Sequence, residues 1–387
     1  MSKLSPPDAA PAPTQPAGTV VTTLVHRATR GQVEWWRRAV VLEFATPFDG
    51  PGFTALAREI SYVARLGANS IQIHPAVDPG QAREEIAALV RRAHQRGVKV
   101  VISLAAHPGE AVAEDHLVGR AAAWLECGVD GLDIGMLPST LDHPGSAALT
   151  SLGQLHALVA EGDAVISAAV SSHDMASVAE HLLEHWMHLT RDDRAAQVPW
   201  EAEAVRTTLS AAYAEREAAG AVAAWTLTRL GGAPWGLGDG DEVAARRRRA
   251  ATLLMMGIPG SIYLRHGEGV GLIPRAESAV GAIEEVAEAV RIQRGEAGSR
   301  YERLRRALRL REEFALATGP LAWVGDAPGS STLALLTRDL LVLTNFSSET
   351  IVVPSDRRVL EASDDLPPSS PGEVILPGDT TVWLALT

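Results

Sequence analysis

Five acidic residues, Glu43, Asp78, Asp133, Asp239 and Glu268, lie at or just beyond short apolar runs, where a strand would end and a loop begin. Carboxylates so placed are the material of general acid/base chemistry, which needs a positioned partner for each. None of the five has a second acid at a recognisable spacing, so each reads as a rim or structural carboxylate. His74 and His107 also follow strand-like runs, where an imidazole can ligate a metal. With no acidic motif beside them they read as hydrogen-bonded structure. Ser167 has no His and Asp at the spacing of a hydrolase triad. Trp35, Trp36, Trp124 and Trp225 read as core anchors. Trp235, in the Gly-rich stretch 231–238, is the aromatic expected to face a ligand.

The elements that must position these residues alternate regularly. Strand-like runs at Ala39–Phe44, Ser70–Ile73, Val98–Leu104, Gly128–Leu137, Ala164–Val170, Met187–Leu189, Ala221–Thr228 and Ser261–Leu264 are separated by stretches of helical periodicity. Several helices stop at Gly, as at Gly67 and Gly97. Eight such alternations favour a (β/α)8 TIM barrel over an open sheet, and no Gly-rich dinucleotide fingerprint follows the first strand. After helices spanning Ile283–Phe314 the pattern changes to short strands separated by turn residues, which predicts a small C-terminal antiparallel β-sandwich domain. The expected division is a disordered Pro/Ala-rich leader over 1–30, the barrel over 31–315 and the β-domain over 320–387.

A 387-residue chain with 46% hydrophobic residues can bury a core of that size. The net charge of −12 argues against nucleic acid or an anionic membrane as partner. The basic run Arg246–Arg249 falls inside a helical pattern and reads as a solvated helix face. Cys127 is the only cysteine, so there is neither a disulfide framework nor a Cys-based metal site. No metal or cofactor is expected. No apolar run is long enough to span a bilayer and no signal peptide is evident, which together with the lone Cys suggests a cytoplasmic setting.

The stretch Gly128-Val129-Asp130-Gly131-Leu132-Asp133-Ile134-Gly135 resembles the fourth-strand motif G-V-D-G-F-R-x-D of the α-amylase and α-glucosidase family, glycoside hydrolase family 13. Further matches follow in the same order along the chain. Glu34-Trp35-Trp36-Arg37-Arg38-Ala39-Val40-Val41 is similar to the W-W-R-x-A-V-V opening of bacterial α-glucosidases, and Tyr62 to Ala68 to their Y-L-x-x-L-G-V. Thr252 to Tyr263 is similar to L-L-x-L-P-G-x-P-x-x-Y, and Leu340 to Ser347 to the L-V-x-x-N-F-S of the C-terminal β-domain.

The resemblance implies a barrel whose catalytic positions are vacant. The nucleophile of the motif corresponds to Gly135, and the Arg before it to Asp133. The acid/base Glu that follows strand five corresponds to Ala168 or Ala169, and the third carboxylate, after strand seven, to Gly231. A retaining glycosidase needs two carboxyl groups about 5 Å apart, so the implied protein is catalytically inactive and retained for binding, assembly or regulation in carbohydrate metabolism. An active enzyme with relocated carboxylates is the alternative, and a glycan or small-molecule sensor a second. The short run after His107 also implies that the family's inserted domain is missing, leaving a shallow mouth that binds carbohydrate weakly; a protein partner is the other expectation, with the oligomeric state open. Arg229 falls where the family has a pocket-facing Asn, so Asp133 and Arg229 are expected to pair across the mouth. Glu43, His74, His107, Trp235 and Glu268 complete the expected pocket.

Overall fold

The computed structural model describes residues 22–105, 116–137, 147–169, 187–227, 242–325 and 331–386. The chain enters through β1 (Thr22–His26) and then builds a closed parallel barrel. Its strands are β2 (Val40–Phe48), β3 (Ser70–Pro75), β4 (Lys99–Ser103), β5 (Gly131–Met136), β6 (Val165–Ala169), β7 (Leu189–Asp192), β8 (Ala223–Thr226) and β9 (Ser261–Arg265). Around them lie α1 (Gly50–Leu66), α2 (Arg83–His94), α3 (Leu117–Leu125), α4 (Ala147–Glu161), α5 (Ala202–Ala219), α6 (Glu242–Met256), α7 (Ala279–Gln293) and α8 (Arg300–Glu313). This is a (β/α)8 barrel, with β9 pairing back onto β2 to close it. No helix among the described residues is long and apolar enough to cross a membrane.

Local sequence explains the boundaries. The Asp49 carboxylate accepts the Gly52 N–H at 2.9 Å and Pro51 sits in the first turn, so α1 starts there. It ends at Gly67, whose φ of 104° a side chain would resist. The face of α1 carrying Phe53, Leu56, Ile60 and Val63 is buried on the barrel. Such side chains each contribute about 1.5–3 kcal/mol on burial.

The second unit is antiparallel. The strands β10 (Leu321–Val324), β11 (Thr332–Thr337), β12 (Leu340–Asn345), β13 (Ile351–Pro354), β14 (Val359–Ala362), β15 (Glu373–Leu376) and β16 (Thr380–Ala385) follow the barrel. They form a six-stranded sheet, ordered β1-β10-β11-β12-β16-β14, and a two-stranded sheet of β13 and β15. Residues 22–26 thus correct the reading of 1–30 as a leader. They pair with β10, giving the C-terminal sheet an N-terminal edge strand.

The sheet is tied to the barrel by buried polar contacts. Thr381 Oγ1 donates to the Ala250 carbonyl at 2.8 Å, Trp383 Nε1 to that of Leu253 at 3.2 Å, and Trp200 Nε1 to Asp379 at 2.8 Å. Arg247 also reaches Asp379, at 3.0 Å, and Arg249 reaches Asp364 at 2.7 Å. The run Arg246–Arg249 is therefore no merely solvated face; two of its members seal the seam between the units.

Candidate functional site

Strand parity decides what fills the barrel. Val41 and Glu43 share the inner face of β2, and Leu189 and Arg191 that of β7. Val41 and Leu189 pack with Ala39, Ala224 and Tyr263 into an apolar plug toward the N-terminal end. Above it, toward the C-terminal end where barrel active sites lie, the interior turns polar. Glu43, Gln72, Ser103, Asp133, Ser167 and Arg191 come from six consecutive strands, β2 to β7, and all are buried.

Asp133 is the centre of this layer and is 0% exposed. Its Oδ2 receives Arg191 Nη1 at 2.7 Å and Ser167 Oγ at 2.9 Å. Its Oδ1 receives Arg191 Nη2 at 3.2 Å, Ser103 Oγ at 3.2 Å and the Gly135 N–H at 3.1 Å. The carboxylate is thus fully subscribed, with a forked guanidinium on one side and neutral donors on the others. Arg191 Nη1 also donates to Gln72 Oε1 at 2.9 Å, and its guanidinium lies 5.3 Å from the centre of the Tyr263 ring. Burial opposes the charge of Arg191, but Asp133 and Glu43 beside it outweigh burial and raise its pKa. The same burial pushes the Tyr263 phenol up.

The expected partner of Asp133 was Arg229, which lies outside the described residues. The structure supplies the compensating charge from Arg191 instead. Sequence reading ended the sixth strand at Leu189, where β7 continues to Asp192, and so left Arg191 out of the site. The alternation explains how so charged a strand is buried. Arg191 points inward to Asp133, whereas Asp192 points outward to Arg216 at 2.9 Å and Arg194 at 2.7 Å. Burial opposes the charge of Asp192, but those two cations hold its pKa below the usual carboxylate range.

Glu43 is joined to the network only loosely. Gln72 Nε2 approaches its Oε1 at 3.4 Å and His74 Nε2 at 3.8 Å. His74 itself is buried and its Nδ1 lies 3.3 Å from the Ala105 carbonyl. Desolvation would raise the Glu43 pKa, but the His74 hydrogen bond and the charges of Arg191, His74 and Arg265 bring it below the ordinary value. It is an ionised acceptor with 10% of its side chain exposed.

The remaining expected residues are dispersed. Gly135, the position the resemblance gives to the nucleophile, has φ 68° within a β-bulge of β5. Ala168 and Ala169 are both 0% exposed at the end of β6. Glu268 accepts the Arg265 N–H at 3.0 Å and lines a small cavity with Arg300 at the seam with the C-terminal sheet. Burial raises its pKa against the pull of Arg300. Asp78 is exposed and caps the turn Pro79–Gln81. Trp124 and Trp225 are buried anchors, while Trp35 and Trp36 are half-buried at the opposite end of the barrel. His107, Arg229, Gly231, Trp235 and Asp239 lie outside the described residues. Among the described residues no cluster of His, Cys, Asp and Glu is arranged to hold a metal ion.

Solved structures share this architecture over nearly the whole chain. An α-glucosyl transfer enzyme superposes with a TM-score of 0.66 at 17% identity, covering 91% of this chain and 99% of its own. The fold is the one found in α-amylase-family enzymes. The cyclic α-maltosyl-(1→6)-maltose hydrolase of Arthrobacter globiformis matches at TM-score 0.58 and 16% identity, over 91% of this chain and 98% of its own. A putative α-amylase from Salmonella typhimurium matches at TM-score 0.53 and 15% identity, over 91% and 82%. No family model matches the sequence, and no curated protein matches it. At these identities the likeness establishes the fold alone, and the chemistry must be argued from the side chains.

Proposed function

We propose that this chain is a catalytically silent relative of the α-glucan-acting enzymes whose fold it shares, kept as a binding or assembly component in carbohydrate metabolism. The observation that carries this reading is the state of Asp133. The one carboxylate on the strand that should bear the nucleophile is 0% exposed and held by five donors, so it is a structural anion not presented to an anomeric carbon. Gly135, two residues on, has no side chain, and the end of β6 offers Ala168 and Ala169 where an acid/base carboxyl would be required. Retaining hydrolysis needs two free carboxyl groups about 5 Å apart. Gly231 would complete the set of vacant positions.

A second reading rests on Glu43. It is ionised and only loosely held on the inner face of the barrel, as a relocated base would be. A general acid beside it is the missing half. Hydrolysis of an aryl α-glucoside separates the two readings. A silent protein gives no turnover above buffer; turnover that disappears in Glu43→Gln would establish the relocated site and end the first reading.

A further inference from the structure

A broad groove lies at the other end of the barrel. It measures about 1300 Å³ and is walled by Val40, Asn69 and Lys99 at the N-terminal ends of β2, β3 and β4, and along its length by α8. Nine lining residues are Arg or Lys and five are Asp or Glu, an excess of four positive charges in a chain whose net charge is −12. Several of the cations are already engaged. Arg38 meets Glu312 at 2.8 Å, Arg305 meets Glu302 at 2.7 Å and Lys99 meets Asp130 at 2.7 Å. Arg311 is buried and donates to the carbonyls of Met256 and Ile258 at 2.6 and 2.7 Å. Three are not: Arg65 at the end of α1, Arg96 in the turn before β4 and Arg309 on α8 are exposed, and no carboxylate among the described residues lies within ion-pair distance of them. Three separate elements therefore direct uncompensated guanidinium groups at one groove.

We propose that this groove binds an extended acidic segment of a partner protein. It is an open groove running along α8, not an enclosed pocket, and so has the shape of a site for an extended segment. The five carboxylates interspersed in the walls repel a chain with a charge on every unit, which disfavours nucleic acid. A polypeptide with spaced Asp and Glu avoids them while offering planar carboxylates to Arg65, Arg96 and Arg309, the geometry a guanidinium grips with two parallel hydrogen bonds. Trp35 and Leu308 supply apolar contact between the charged points. The groove and the Asp133 layer lie at opposite ends of the barrel.

The test titrates the full chain into a short fluorescein-labelled peptide of glutamate and alanine at low and raised salt, followed by fluorescence anisotropy. The expected result is salt-sensitive binding that weakens at least about tenfold in the Arg65→Glu, Arg96→Glu, Arg309→Glu variant, taking each exposed charge at roughly 0.5 kcal/mol. The Arg58→Glu, Arg92→Glu, Arg275→Glu variant, equal in charge but outside the groove, should bind as wild type does. If reversal unfolds the chain, alanine at the same three groove positions repeats the comparison without added repulsion. No binding by wild type, equal weakening in both triple variants, or tighter binding of an oligonucleotide of matched charge would each overturn the proposal.

Discussion

Truncating Asp133 to alanine should cost far more than its size suggests. The change strands Arg191, 2% exposed, beside Gln72 Oε1 with no carboxylate in direct contact. Removing one partner of a buried pair costs about 3–5 kcal/mol, against about 0–1 for an exposed one. The converse change, Arg191→Ala, should be milder by about 1 kcal/mol or more, since Asp133 keeps the two Ser hydroxyls and the Gly135 N–H. Urea unfolding of wild type, Asp133→Ala, Arg191→Ala and the double variant gives the coupling energy directly. We expect the double variant to lose much less than the sum of the singles. A coupling below about 1 kcal/mol would refute the view that these two residues plug the barrel, and so would equal losses in the two single variants.

Three further outcomes follow from the same structure. Gly135→Asp should restore no hydrolysis and should destabilise the chain by about 1–3 kcal/mol, because φ 68° is a conformation a side chain resists; a melt and an aryl α-glucoside assay on one sample check both. Asp379→Ala should lower the melting temperature by loosening the seam, since its Oδ1 receives both Trp200 Nε1 and Arg247 Nε; an unchanged melt would remove Asp379 from the interface account. His266 stacks on Phe44 at 4.3 Å and burial depresses its pKa to about 3, so the folded chain holds it neutral while the unfolded chain protonates it near 6.5. Stability tied to His266 is therefore complete above about pH 6.5 and declines as pH falls from there toward 3, by up to about 4 kcal/mol. His266→Phe should flatten that limb of a stability–pH curve, and an identical acid limb would contradict it.

The barrel was legible because its signals are local and repeated. Apolar β-branched runs such as Val98–Leu104 and Gly-terminated helices such as the one ending at Gly67 recur at regular spacing, and parallel strands buried on both faces read as continuous apolar segments. The reading failed where burial is polar. At β7, Thr190-Arg191-Asp192 is a strand whose charges are neutralised by residues distant in sequence, Asp133 on one face and Arg216 on the other. Nothing local reveals the pairing of Arg191 with Asp133 or of Asp192 with Arg216. The same limit hid Gln72, Ser103 and Tyr263 from the list of site residues. It also hid β1, whose partner β10 is nearly three hundred residues away. Asp133 was singled out because its charge stood where an apolar or Arg side chain was expected. A charge in that position demands a counter-ion, but the sequence does not say which of many arginines supplies it.

The central proposal is that this chain is catalytically silent, with Asp133 wholly engaged by its donors and Gly135 in place of a nucleophile. A retaining glycosidase passes through a glycosyl-enzyme, which a fluorinated α-glucosyl fluoride traps and intact-protein mass spectrometry detects. The expected spectrum after long incubation is that of the unmodified chain. A stoichiometric mass increase of one fluoroglucosyl unit, localised by peptide mapping to Glu43, Asp133 or any other carboxylate, would contradict the account.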